Sequence, residues 1–184
     1  MEAYEPIAAY YDSEHDQFTD DIDWYLHLAQ VAGPRVLELG CGSGRLLAPL
    51  AAAGARVVGV DTSAAMLQRA HTRLQGEIAR GQVSLIHGDM QHLGELELGS
   101  FDLVILPLNG LLHLDEPAAQ RRVLDEAARV LRPGGLLAAD VLHAVPDALA
   151  AFDGRVVHEG TWEDGSGAVS KFSSRTVDWT NQLI

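Results

Sequence analysis

The residues Gly40-Cys41-Gly42-Ser43-Gly44 lie between two apolar runs, and the second run ends in an acid, Asp61. That spacing suits a particular chemistry. Glycines let the backbone approach a ligand and take positive φ. Amides that open the following helix can hold an anionic group. A carboxylate about twenty residues after the first glycine stands where it reaches ribose hydroxyls. The stretch from Arg35 to Asp61 therefore reads as a strand, a glycine turn, a small-residue helix and a second strand. One ribose-bearing ligand would lie across the two strand ends.

The elements that must position these residues follow in order along the chain. Residues 19–32 read as a helix, with Thr19 as cap, Asp20, Asp21 and Asp23 at its positive end, and Ile22, Tyr25, Leu26 and Leu28 inward. Gly33-Pro34 stops it. Strands are expected at 35–39, 56–60, 83–87, 101–106 and 136–142. Helices are expected at 44–53, from a Ser63 cap to about Arg80, and from Pro117 to Leu131. Residues 101–106, FDLVIL, are apolar after Asp102, as in a parallel strand covered on both faces. The alternation predicts a doubly wound, mostly parallel α/β sheet with helices on both faces. From Arg155 the pattern changes to antiparallel strands about an Asp164-Gly165 turn. The expected division is 1–153, a nucleoside-binding domain with an N-terminal helix, and 154–184, an incomplete antiparallel extension.

Composition narrows the partners. The chain has 184 residues, 47% of them apolar, enough for a sizeable core. Its formal charge of −13 repels phosphate backbones, so nucleic acid is not an expected partner. Cys41 is the one cysteine, which excludes an internal disulfide and points to a reducing, cytoplasmic compartment. Inside a glycine turn it reads as a packing residue rather than a nucleophile. No apolar run approaches the roughly twenty residues that span a membrane. The eight histidines are scattered without ligand spacing, so no metal is expected.

Four segments in register resemble class I S-adenosylmethionine-dependent methyltransferases over roughly residues 4–142. They are ELGCGSG at 38–44, VVGVDTSAAML at 57–67, HGDM at 87–90 and LRPGGLLAAD at 131–140. The resemblance implies a Rossmann-like sheet, S-adenosyl-L-methionine as cofactor and a small-molecule methyl acceptor. It implies a cofactor set of Tyr11, Glu38, Gly40, Cys41, Gly42, Gly44, Asp61, Thr62, Met66, Asp89, Met90 and Leu106. Glu38, Gly40 and Gly42 would meet the amino-carboxylate end, and Asp61 the ribose. Thr62, Met66, Asp89 and Met90 would meet the adenine, while Tyr10 and Tyr11 would cover the methionine end. The glycine spacing agrees with a ligand lacking pyrophosphate, since a dinucleotide turn wants a glycine where Arg45 stands. Plainer readings remain beside these: Asp61 as a helix-start acceptor, Asp89 as a turn residue, Met66 as core, and the tyrosines as packing.

The acceptor would bind past strand four, near Pro107, Asn109, Gly110, His113, Asp140 and His143. His113 is the candidate base, because imidazole titrates near neutrality; its other reading is a polar residue beside a helix. Leu106-Pro107-Leu108-Asn109 departs from the Asn/Asp-Pro-Pro-Tyr/Phe motif of enzymes that methylate planar amino groups. Two other functions remain: an NAD-dependent oxidoreductase, or a non-catalytic S-adenosylmethionine-binding protein. No helix of the kind that precedes the closing strands of the resembled family is read after Val141, so a shortened version is expected, with strand five at an edge unless the tail or another molecule covers it. An apolar edge invites pairing, and a homodimer through residues 155–184 is the expectation.

Overall fold

A computed structural model of the chain describes residues 8–143, 145–164, 167–178 and 180. The chain divides into two compact units, Met1–Val141 and Leu142–Ile184. The first begins with helices α1 (Ala8–His15) and α2 (Ile22–Ala32). Strand β1 (Arg35–Leu39), helix α3 (Leu47–Ala52), strand β2 (Arg56–Asp61) and helices α4 (Ala64–Arg73) and α5 (Gln75–Ala79) follow. Then come β3 (Val83–His87), β4 (Phe101–Leu106), α6 (Pro117–Val130) and β5 (Leu131–Ala139). The five strands form one parallel sheet in the order β3-β2-β1-β4-β5. The expected doubly wound α/β sheet is the observed one.

Because side chains alternate across a strand, β4 feeds both faces. Leu103 and Ile105 join Val36, Val57 and residues of α2, α3 and α4 in one apolar cluster. Val104 and Leu106 join Leu37, Leu39, Val60 and the α6 residues Val123 and Ala127 in the other. All four β4 residues are fully buried, which is why this strand reads as an unbroken apolar run. At the opposite end of β4, Asp102 ties three elements together. Its Oδ2 accepts from the Arg35 amide at 2.9 Å, and its Oδ1 takes the Arg132 guanidinium. Arg132 also donates to the Ala32 carbonyl at 2.7 Å, closing the end of α2.

Four element boundaries differ from the sequence reading, each for a physical reason. Helix α2 starts at Ile22, not Thr19, because the Asp21 carboxylate is taken by the Arg45 guanidinium at 2.7 and 2.6 Å and does not cap. Helix α3 starts at Leu47 because Gly44, at φ 82°, cannot continue a right-handed helix. The helix after Ser63 breaks at Leu74 into α4 and α5, where Leu74 turns fully into the core. Strand β5 spans 131–139 rather than 136–142. Leu131 already pairs with Phe101, and the register slips before Leu136 meets Leu103, over the stretch holding Pro133-Gly134-Gly135. Proline in a sheet is confined to edges and bulges. The other expected strands fall within one residue of their observed bounds.

The second unit holds α7 (Pro146–Leu149) and an antiparallel pair, β6 (Asp153–Asp164) and β7 (Gly167–Thr176). Glu159 is the pair's electrostatic centre. It accepts from Ser173 Oγ at 2.6 Å and pairs with Arg175 at 2.5 Å and Lys171 at 2.9 Å. Gly165 of the expected turn lies outside the described residues, as do 4–7 and 181–184. Among the described residues, β5 pairs with β4 alone and forms the sheet's edge. No described helix is long and apolar enough to cross a membrane.

Candidate functional site

β1 has β2 on one side and β4 on the other, so the strand order reverses at its carboxyl end. Open parallel sheets leave a crevice at such a point. Here it is a cavity of about 670 Å³. The glycine turn forms its floor. Gly40 and Cys41 donate their amides to the Val60 carbonyl at 2.8 and 3.1 Å, hanging the turn from the end of β2. Gly42, at φ 53°, takes a backbone conformation that strains any other residue, and a Cβ there would crowd Met66 Cε at 3.2 Å. At Gly44 a Cβ would meet Leu74 Cδ1 at 2.7 Å.

Asp61 joins this turn to the next helix. Its Oδ2 accepts from the Gly42 amide and its Oδ1 from the Ser63 amide, both at 2.8 Å. Ser63 then caps α4, its Oγ accepting from the Met66 amide at 3.2 Å. The plain reading of Asp61 is therefore structurally real. It does not exhaust the carboxylate, because each oxygen can accept a second bond.

Of the expected cofactor set, Tyr11, Glu38, Gly40, Cys41, Gly42, Asp61, Thr62, Met66, Asp89 and Met90 line the cavity. Gly44 and Leu106 do not: the first backs onto Leu74, and the second is fully buried in the core. Tyr10 is exposed. Asp89 also holds a turn, its Oδ1 accepting from the Gln91 amide at 2.8 Å. Cys41 is buried, and a Cβ on Gly59 would stand 2.7 Å from its Sγ. Burial pushes its thiol pKa well up, so it packs rather than reacts.

On the acceptor side, Pro107, Gly110 and His113 line the cavity. His113 ends a 3-10 turn, Gly110–His113, that follows Asn109. Surrounding protein lowers its pKa from the usual imidazole value, against an opposing pull from Asp61. Asp140 is outside the wall and paired, accepting from Tyr25 Oη at 3.0 Å and from the Asn109 amide at 2.9 Å. His143 belongs to the second unit.

Residues missed from the sequence include His15, Ser43, Arg45, Gln91 and Leu114. His15 stacks on Tyr11, with ring centroids 4.0 Å apart. Its spacing of one helical turn from Tyr11 was a usable signal. Both rings ride on α1, which is fastened to α4 by charge. Asp12 meets Arg69 at 2.5 Å and Arg73 at 3.2 Å, and Asp16 meets Arg73 at 2.7 Å.

A family profile described as a methyltransferase domain matches residues 36–135. A demethylmenaquinone methyltransferase of Clavibacter sepedonicus is 43% identical over 108 residues, 59% of this chain and 41% of that one. A ubiquinone biosynthesis O-methyltransferase of Nitrosococcus oceani is 35% identical over 137 residues, 73% of this chain and 54% of that one. The chain thus spans about half the length of these relatives. Among solved structures, the CcbJ methyltransferase from Streptomyces caelestis matches with a TM-score of 0.67 at 27% identity, over 75% of this chain and 57% of that one.

Glu38 is the electrostatic anomaly of the cavity. It is 3% exposed, and among the described residues its Oε2 meets no hydrogen-bond partner. Burial pushes its carboxyl pKa up to about 8, with Asp61 and Asp21 adding to the rise and Arg45 opposing it. Between its ordinary value near 4.5 and about 8, the folded chain holds a proton that the unfolded chain has released. That contribution to stability is therefore complete below the lower value, falls as pH rises through the window, and is gone above the upper one. Thermal unfolding of wild type and Glu38→Gln should diverge accordingly: the wild-type Tm falls relative to the variant between about pH 4.5 and pH 8. A constant difference across that range would remove the assignment.

Proposed function

Because this chain belongs to the class I S-adenosylmethionine-dependent methyltransferase family, we propose that it binds S-adenosyl-L-methionine in this cavity and methylates a small-molecule acceptor on nitrogen or oxygen. The observation that carries the reading is a pair of orphaned polar atoms. Among the described residues, Glu38 Oε2 and Ser43 Oγ are buried without partners in the wall of a glycine-floored cavity. A buried polar group without a partner costs about 1–3 kcal/mol, and a ligand with ammonium and carboxylate groups supplies what both lack.

The remaining residues fit the same ligand. Asp61 has acceptor capacity left for ribose hydroxyls beyond its two amides. Thr62, Met66, Asp89 and Met90 form a side wall for a base, and Asp89 can accept from its exocyclic amine. Tyr11 lies over the turn, 3.9 Å from where a Cβ of Gly42 would be. Its ring face suits a sulfonium cation. When bound, the cofactor supplies a methyl group already activated by positive charge. The chain's own part is to align the acceptor, exclude water and accept a proton where the acceptor carries one. His113, held neutral by its lowered pKa, is the group placed for that last role. The apolar Pro107, Leu108 and Leu114 beside it suit an uncharged acceptor face.

The domain reading is a cofactor-binding part over 1–153 and an antiparallel extension over 154–184. The edge of β5 and the exposed Val156, Val157 and Phe172 of the hairpin support a homodimer through residues 155–184. The one buried cysteine suits the reducing cytoplasm, which cell fractionation would check.

Calorimetric titration tests the ligand. S-adenosylmethionine and its demethylated product should compete for one site, and NAD should give no heat. Asp61→Ala should weaken binding by roughly 1.5–3 kcal/mol. Unchanged affinity would sink the role of Asp61, and NAD binding would favour the oxidoreductase. Turnover against a panel of small phenols and amines separates an enzyme from a binding protein. With an accepted substrate, wild-type turnover should rise with pH through a midpoint below 6.5, and His113→Ala should lose about a hundredfold. Full turnover in that variant from pH 6 to 9 would leave His113 a structural residue. Sedimentation should give twice the 19.8 kDa chain mass; a monomer at micromolar concentration would rule out the dimer.

A further inference from the structure

The acceptor-side wall hangs from a tight turn over Pro107–Gly110, in which the Gly110 amide donates to the Pro107 carbonyl at 3.0 Å. Leu108 and Asn109 follow one another with positive φ, 50° and 61°. Asparagine visits this region readily, but leucine does not. The wall residues follow directly: Leu108, Gly110, His113 and Leu114 all face the cavity. The 3-10 turn starts from this corner, the Leu112 amide donating to the Asn109 carbonyl at 2.7 Å.

One side chain braces the corner from behind. Asp140 leaves the end of β5 beside the end of β4, its own amide 3.3 Å from the Leu106 carbonyl. Its Oδ1 accepts from the Asn109 amide at 2.9 Å, fixing the second left-handed residue. Its Oδ2 accepts from Tyr25 Oη at 3.0 Å, and Tyr25, on α2, is fully buried. Neither Asp140 nor Tyr25 lines the cavity. We propose that Asp140, seconded by Tyr25, is a positioning residue that holds the Leu108–Asn109 corner in its left-handed form and so sets where His113 stands against the acceptor. Burial, and then the charge of Asp140, raise the Tyr25 phenol far above its usual range, so it remains a donor throughout the working pH range. The assignment deepens the methyltransferase reading, on which its consequence for turnover rests.

The test reads the imidazole directly and needs no substrate. In chain carrying ring-labelled histidine, the His113 resonance is assigned by its loss in His113→Gln and followed by NMR from pH 4 to 9. Asp140→Ala should release the corner, expose the ring and raise the His113 midpoint toward its ordinary 6.5. Asp140→Asn keeps an oxygen for the Asn109 amide and should restore the wild-type midpoint. Should the alanine variant fail to fold, Tyr25→Phe carries the test, with a smaller rise in the same direction. An unmoved midpoint in Asp140→Ala, or in Tyr25→Phe where that variant stands in, overturns the proposal. So does a midpoint in Asp140→Asn shifted as far as in the alanine variant. Calorimetry with S-adenosylhomocysteine runs alongside, and the folded brace variants should bind it within about threefold of wild type, a shift under 1 kcal/mol. A wild-type chain that binds none would fail the methyltransferase reading while the titration still decides the brace.

Discussion

The Asp61 carboxylate is the joint on which the site turns. Its two oxygens hold the Gly42 and Ser63 amides at the same short distance, so one side chain fixes the glycine turn against the start of α4. The donors it satisfies are backbone groups at a turn and a helix start, which have no partners of their own. From that joint the cavity floor takes its shape. Gly42 is brought against Met66, and Cys41 is brought over Gly59. The residue proposed to meet a ribose is thus also the one that shapes the floor beneath it.

Charge is distributed unevenly around this joint. Three carboxylates, Glu38, Asp61 and Asp89, line the cavity with a single guanidinium, that of Arg45. Arg45 is already committed: both its terminal nitrogens are bound to Asp21, and one also donates to the Phe18 carbonyl at 2.9 Å. Its field still reaches Glu38, but it does not offset the burial of that carboxyl. A cavity holding more acid than free base favours a positively charged guest, because a guest cation lowers the cost of ionising the buried Glu38 carboxyl.

The sheet was legible because its strands are apolar runs bounded by glycine, proline and acids, and because sequential order in such folds leaves few topologies. Ten of the twelve expected cofactor residues fall on the cavity wall, since strand ends and the turns after them converge there. Gly44 and Leu106 stand off the wall, because Gly44 carries no side chain and backs onto Leu74, and Leu106 is turned into the core. The aspartates before α2 have the composition of a helix start, but Asp21 is claimed by Arg45 from another element. The bulge before Leu136 depends on pairing with Phe101 and Leu103, which no local pattern announces. Asp140 serves Asn109 across 31 residues of chain, a contact that no local sequence pattern carries.

The pairing of β1 has a consequence for the order of assembly. Val36 meets Val57 soon after it in the chain, but its other neighbour, Leu103, arrives only after β3 and the segment beyond it have been made. Contacts between distant parts of a chain form late, because the loop between them must first be closed. A ribosome releasing this chain therefore exposes the glycine turn and Asp61 well before Pro107, Leu108 and His113 exist to face them. Until β4 docks, β1 is itself an open edge, and the Asp61 half of the cavity stands without its opposite wall. The two halves of the site are made at different times, and the last strand to join the centre of the sheet is what turns a half-pocket into a whole one.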